Sequence, residues 1–88
     1  MQPAARLLLR YAESTGWYIV VNTEFTTRSA IAAWEAVQAA GDNVHVGFFD
    51  RYNWLGSVLL SLDGAAIIGH TRRGVVAVIV DRIIKALR

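Results

Sequence analysis

The stretch Ala30 to Leu62, AIAAWEAVQAAGDNVHVGFFDRYNWLGSVLLSL, decides the fold. It joins an Ala-rich amphipathic run, a short polar break at Gly41-Asp42-Asn43 and an apolar strand that ends in Asp50-Arg51. In the first part Ile31, Trp34 and Val37 fall on one helical stripe, and Thr26 or Thr27 is the expected cap, its hydroxyl accepting from an early backbone N–H. Ala32, Ala36 and Ala39 form a second face of small side chains, which lets another backbone approach closely, within the fold or across subunits. From Val44 to Asp50 the period changes to two, with Val44, Val46 and Phe48 on one face and His45 and Phe49 on the other. No acid–base pair, activated nucleophile or phosphate loop occurs here, so the stretch points to a surface that assembles rather than a pocket that reacts.

On the N-terminal side, Pro3 opens a helix over residues 4 to 14, with Leu7, Leu8 and Tyr11 at helical spacing and Gly16 as its stop. Trp17 to Phe25 is rich in aromatic and β-branched residues and reads as one largely buried strand. Parallel pairing of this strand with Val44 to Asp50 is expected, since a helix connects them and such crossovers are right-handed.

On the C-terminal side, a turn near Tyr52 to Gly56 leads into a strand over Ser57 to Leu62. Beyond Leu62 two readings remain open. Asp63-Gly64 is a two-residue hairpin turn into a strand over Ala65 to His70, or Asp63 caps a helix through Thr71; the Asp-Gly pair and the helix-weakening Gly69 favour the strand. Val76, Ile79, Val80, Ile83, Ile84 and Leu87 then share one face of a final helix, with Asp81 and Lys85 paired four apart on another. The expected class is α+β, a ferredoxin-like βαββ(β)α sandwich with an N-terminal helix, and residues 1 to 88 form a single domain.

A chain of 88 residues hides only about 60 to 65% of the surface its unfolded form exposes. Yet 55% of its residues are hydrophobic, more than one small core needs, so part of that surface is expected to be covered by other subunits. A membrane span is excluded on length, because the longest apolar run, Val75 to Val80, falls far short of the roughly 20 residues required. With neither a cleavable leader pattern nor any cysteine, a cytoplasmic location is expected. The formal charge of +2 is too small to argue for a nucleic-acid partner. Eight of the nine basic residues are Arg, a preference that suits partly buried interfaces.

No catalytic residue, metal site or cofactor is expected. His45 and His70 lack the third and fourth ligands a metal needs and read as packing residues. Asp50-Arg51 reads as a turn-flanking pair or an intersubunit ion pair. Tyr52, Asn53 and Trp54 form an aromatic-polar tip, a plain strand connection or a wet contact surface. Trp17 and Trp34 read as core. Arg72 and Arg73, between Gly69 and Gly74, stand where the final helix begins and form the candidate anion site.

The segment AVQAAGDNVHVGFFDRYNWLGSVLLSLDGAAI resembles the core of the bacterial microcompartment shell proteins, particularly the circularly permuted type associated with ethanolamine and propanediol organelles. Val44, His45, Val46, Gly47, Phe48, Asp50, Arg51 and Tyr52 carry the resemblance, with Gly56 and Val58 to Leu60 beyond. It implies a flat cyclic hexamer in a shell, with Asp50, Arg51, Tyr52, Asn53, Trp54 and Gly56 at the pore or an interface; in such an assembly the Ala32, Ala36 and Ala39 face or the sheet edge is the expected subunit contact. The expected partners are further copies of this chain and other shell proteins. The alternative is a small ferredoxin-like regulatory domain, dimeric, that binds an anionic metabolite at Arg72 and Arg73. A small enzyme is the least favoured reading, because no residue pair has a mechanistic role.

Overall fold

The computed structural model describes residues 3–41, 43–61 and 64–87. Along the chain run α1 (Ala4–Thr15), β1 (Tyr18–Val21), β2 (Phe25–Thr27), α2 (Ala30–Ala40), β3 (Val44–Phe49), β4 (Trp54–Leu60), β5 (Ile67–His70) and α3 (Val75–Ala86). The strands form one sheet in the order β2-β1-β3-β4-β5, antiparallel at every pairing. The class is α+β, as expected, and the strand reading of the segment before His70 is the one that holds.

Helix α1 buries Ala5, Leu8, Leu9 and Ala12, the i, i+3, i+4, i+7 stripe of a core-facing helix. It ends on Gly16 at φ 79°, where the Gly16 N–H donates to the Glu13 carbonyl at 3.1 Å and the Trp17 N–H to the Ala12 carbonyl at 2.9 Å. That pair of bonds is a Schellman stop, which satisfies carbonyls the helix itself cannot.

The expected single strand over Trp17 to Phe25 is two strands. Asn22 and Thr23 both have positive φ, 51° and 59°, and the Glu24 N–H donates to the Val21 carbonyl at 3.1 Å. Two successive positive φ values give the tight reversal whose twist suits a hairpin. The extra reversal also corrects the expected parallel pairing, since β1 lies antiparallel to β3. The strands next to α2 in the chain, β2 and β3, do point the same way, but β1 stands between them.

Because β2 ends at Thr27, the cap of α2 is Ser29 and not Thr26 or Thr27. Its hydroxyl accepts from the Ala32 N–H at 3.2 Å, while a carboxylate oxygen of Glu13 accepts from the Ala30 N–H at 2.8 Å. The stripe α2 buries is Ala30, Ala33 and Val37; Trp34 is partly buried against the core, and Ile31, expected inside, is 65% exposed. The helix ends on Gly41 at φ 65°.

Val44, Val46 and Phe48 of β3 are fully buried, in register with Leu60, Val58 and Gly56 of β4. Leu55 is an extra residue on β4, a bulge opposite Phe49, so β4 begins at Trp54 and Gly56 lies inside the strand rather than in the turn. The β4–β5 connection is wider than two residues: the Ser61 N–H donates to the Ala66 carbonyl at 2.8 Å and Leu60 pairs with Ile67. Asp63, which both readings of that segment used, lies outside the described residues.

The three helices pack on one face of the sheet. Their buried residues join Ile19, Val21, Val44, Val46, Phe48, Val58 and Leu60 in one cluster, in which each fully buried large aliphatic or aromatic side chain contributes about 1.5–3 kcal/mol. Trp17 and Phe48 pack edge to face within it, centroids 6.1 Å apart, and the exposed Tyr11 meets Trp17 edge to face from outside at 5.4 Å. Val76, Ala77, Ile79 and Val80 of α3 are buried and Ile83 and Ile84 pack against the cluster.

Candidate functional site

Period two along the strands dictates what the other face of the sheet carries. Tyr18 and Val20 of β1, His45, Gly47 and Phe49 of β3, and Trp54, Ser57 and Leu59 of β4 point away from the helices, as their pairings show. Among the described residues no strand of the sheet contains an Asp, Glu, Lys or Arg. An antiparallel sheet with one wet face normally alternates apolar and polar residues; this one presents aromatic and aliphatic groups on both.

Gly47 organises the centre of that face. A Cβ there would be in van der Waals contact with the Phe49 ring at 3.4 Å and the Trp54 indole nitrogen at 4.0 Å, so both rings lie close over β3 at this position. Gly47 and its cross-strand partner Ser57 are buried. Trp54 itself remains 57% exposed and Leu59 38%. At one margin the Arg28 guanidinium lies over the Tyr18 ring, 5.3 Å from its centroid.

The β3–β4 turn extends beyond this face and is held by Asp50. Its carboxylate accepts from the Tyr52 N–H at 3.0 Å and the Asn53 N–H at 2.8 Å, and its own N–H donates to the Asn53 carbonyl at 3.0 Å. The amide donors of Tyr52 and then Asn53 lower the carboxyl pKa below its ordinary value, since they favour the charged form. Asp50 is thereby engaged within its own turn. Arg51 is exposed and Tyr52 is 89% exposed at the tip. Gly56, expected beside them, faces the opposite way: a Cβ there would meet Thr71 and Val76 under α3.

The expected packing alanines divide. Ala32 and Ala36 are half-buried, and Ala39 is exposed. Ala36 and Ala39 line a cleft of about 460 Å³ with Phe25 and Val21 at the β2 margin of the sheet. Arg72 and Arg73 are both exposed in the loop before α3, whose N-cap, Gly74, offers no side-chain acceptor. His45 and His70 are separated by β4, and among the described residues no group of three or more His, Cys, Asp or Glu could hold a metal ion. Among the same residues no helix is long and apolar enough to cross a membrane.

The residues that sequence reasoning missed are Tyr18, Val20, Phe49 and Leu59. The signal was present in the apolar identity of both alternating sets along β1, β3 and β4, but it becomes a surface only once the register aligns them. Comparison with models of protein families, with curated proteins and with solved structures finds no match to this chain.

Proposed function

We propose that this chain is a self-assembling structural protein, and that its copies meet through the helix-free face of the sheet. The carrying observation is the uncharged outward face of β1, β3 and β4, with Tyr18, Val20, Phe49, Trp54 and Leu59 on it. The occupant that suits it is a second copy: the strands of the face carry no Asp, Glu, Lys or Arg among the described residues, the Arg28 guanidinium stays at its margin over Tyr18, and a two-fold contact needs only one self-complementary patch. The three strands that carry the face, at about 4.8 Å spacing and about 3.4 Å per residue, make a patch roughly 14 Å by 19 Å, on the order of 270 Å² in projection. That is below the roughly 600–1,000 Å² per partner of standard stable complexes, so the contact must extend over the flanking strands and the Tyr52 turn to hold a lasting pair. The sheet margins suit this role less, because β2 has three residues and β5 four with an irregular register, and short or bulged edges resist strand addition.

A cyclic hexamer of the microcompartment shell kind is the larger assembly this reading admits, with the Tyr52 turn as its rim and the Ala36–Phe25 cleft as a second contact. The test is the absolute mass in solution by light scattering on a sizing column, for the native chain and for Leu59→Arg. We expect an oligomer for the native chain and a monomer for the variant, with association weakened about 100-fold or more by a buried unpaired charge. Six copies would extend the reading to the ring, and two would confine it to the face-to-face pair. A native monomer, or a variant of unchanged mass, would overturn it.

A further inference from the structure

Away from the sheet, α1 and α2 enclose a pocket of about 300 Å³. Arg6, Arg10 and Glu13 line one wall from α1, at i, i+4 and i+7 on a single face; Ala30, Ile31 and Trp34 line the other from α2. The three charges are not equivalent. One Glu13 carboxylate oxygen accepts from the Ala30 N–H at 2.8 Å, so this anion is committed to the positive end of α2. Arg6 lies over Trp34 with its guanidinium carbon 5.4 Å from the ring centroid. Arg6 makes no hydrogen bond or ion pair among the described residues, so its guanidinium donors remain for an oxyanion. Arg10 is exposed and has no hydrogen-bonding or ion-pair partner among the described residues.

Two like charges one helical turn apart destabilise α1 by a few tenths of a kcal/mol. Together they give one end of the pocket a positive surplus beside an indole. Leu9, almost fully buried, and Ile31, largely exposed, supply further apolar wall. At the lower end of the roughly 300–1,000 Å³ of small-molecule sites, the space suits one ring and a short anionic arm.

We propose that this pocket binds a small organic anion, a carboxylate or phosphate on a single-ring apolar body. The anionic group engages Arg6 and Arg10, and the ring lies against Ile31 and Trp34, with Glu13 excluding the anion from the opposite end. The site is remote from the sheet face and does not depend on self-association. It also differs from the Arg72–Arg73 loop, the place the sequence suggested for an anion.

The test is titration of the native chain with phenyl phosphate and, separately, benzoate, with benzyl alcohol as the uncharged control, followed through backbone amides and tryptophan indole resonances. Both anions are expected to give saturable shifts at residues 30–34 and at the Trp34 indole, benzyl alcohol none, and the two affinities separate phosphate from carboxylate preference. Arg10→Gln, a change at an exposed side chain, should weaken binding about 10- to 100-fold, the range for a charged hydrogen bond. Glu13→Gln, which keeps an acceptor for the Ala30 N–H, should tighten it. Absence of saturable binding by either anion, unchanged affinity in Arg10→Gln, or shifts centred on residues 71–74 would overturn the assignment.

Discussion

Gly56 shows how far one residue's role can depend on its surroundings. Its φ of 134° is one that side-chain-bearing residues rarely adopt, and a Cβ there would lie 2.6 Å from the Thr71 hydroxyl and 2.8 Å from the Val76 Cβ. Gly56→Ala therefore combines backbone strain with overpacking between β4 and α3, and should lower the unfolding free energy by about 2–4 kcal/mol in a urea titration. Gly41→Ala is the control. Gly41 also has positive φ, but a Cβ there meets nothing within 4 Å, so only the conformational cost of about 1–2 kcal/mol remains. Equal losses at the two sites would refute the packing argument. In sequence Gly56 reads as part of a turn and a rim, because the bulge at Leu55 that carries it under α3 leaves no periodic trace. Val44, Val46 and Phe48 were legible because simple alternation set their direction.

Between residue and domain, the turns decide which strands can meet. Asp50 closes the β3–β4 hairpin, and its lowered pKa fixes the sign of a pH effect. A carboxyl whose folded value lies below its unfolded one stabilises the fold fully above the unfolded value and loses that contribution as pH falls through the folded one. The Tyr52 and Asn53 amide resonances should consequently move together in one acid transition below about pH 4, and Asp50→Asn should abolish it. A transition above the ordinary carboxylate range, or one that survives the substitution, would contradict the turn as described. This hairpin was partly legible, since a polar break separates two apolar runs. The Asn22-Thr23 reversal was not: Asn22 is the one local turn signal, and the β-branched Thr23 beside it, in a run that otherwise reads as strand, masks it. That one missed reversal also accounts for the misplaced cap of α2 and for the expected parallel pairing.

For the whole molecule, composition indicated a surplus of apolar surface; Ile31, Val75 and Val78 expose part of it on the helices, and the register shows where the part on the sheet lies. The helices account for the inward set along β1, β3 and β4, and Tyr18, Val20, Phe49, Trp54 and Leu59 remain on the outside. The Ala32, Ala36 and Ala39 face, the contact suggested by helical spacing, is by comparison half committed to the fold itself. If copies meet through the uncharged sheet, the association must respond to solution conditions as apolar burial does. Its heat-capacity change should be negative, and raising salt from about 0.05 to about 0.5 M should change its dissociation constant less than about threefold, because the strands of the face carry no Asp, Glu, Lys or Arg among the described residues. Sedimentation equilibrium across that salt range, joined to dilution calorimetry at several temperatures, measures both quantities. Weakening by more than about tenfold would move the contact from the sheet to a charged surface such as Arg72-Arg73, where screening acts directly on exposed charges.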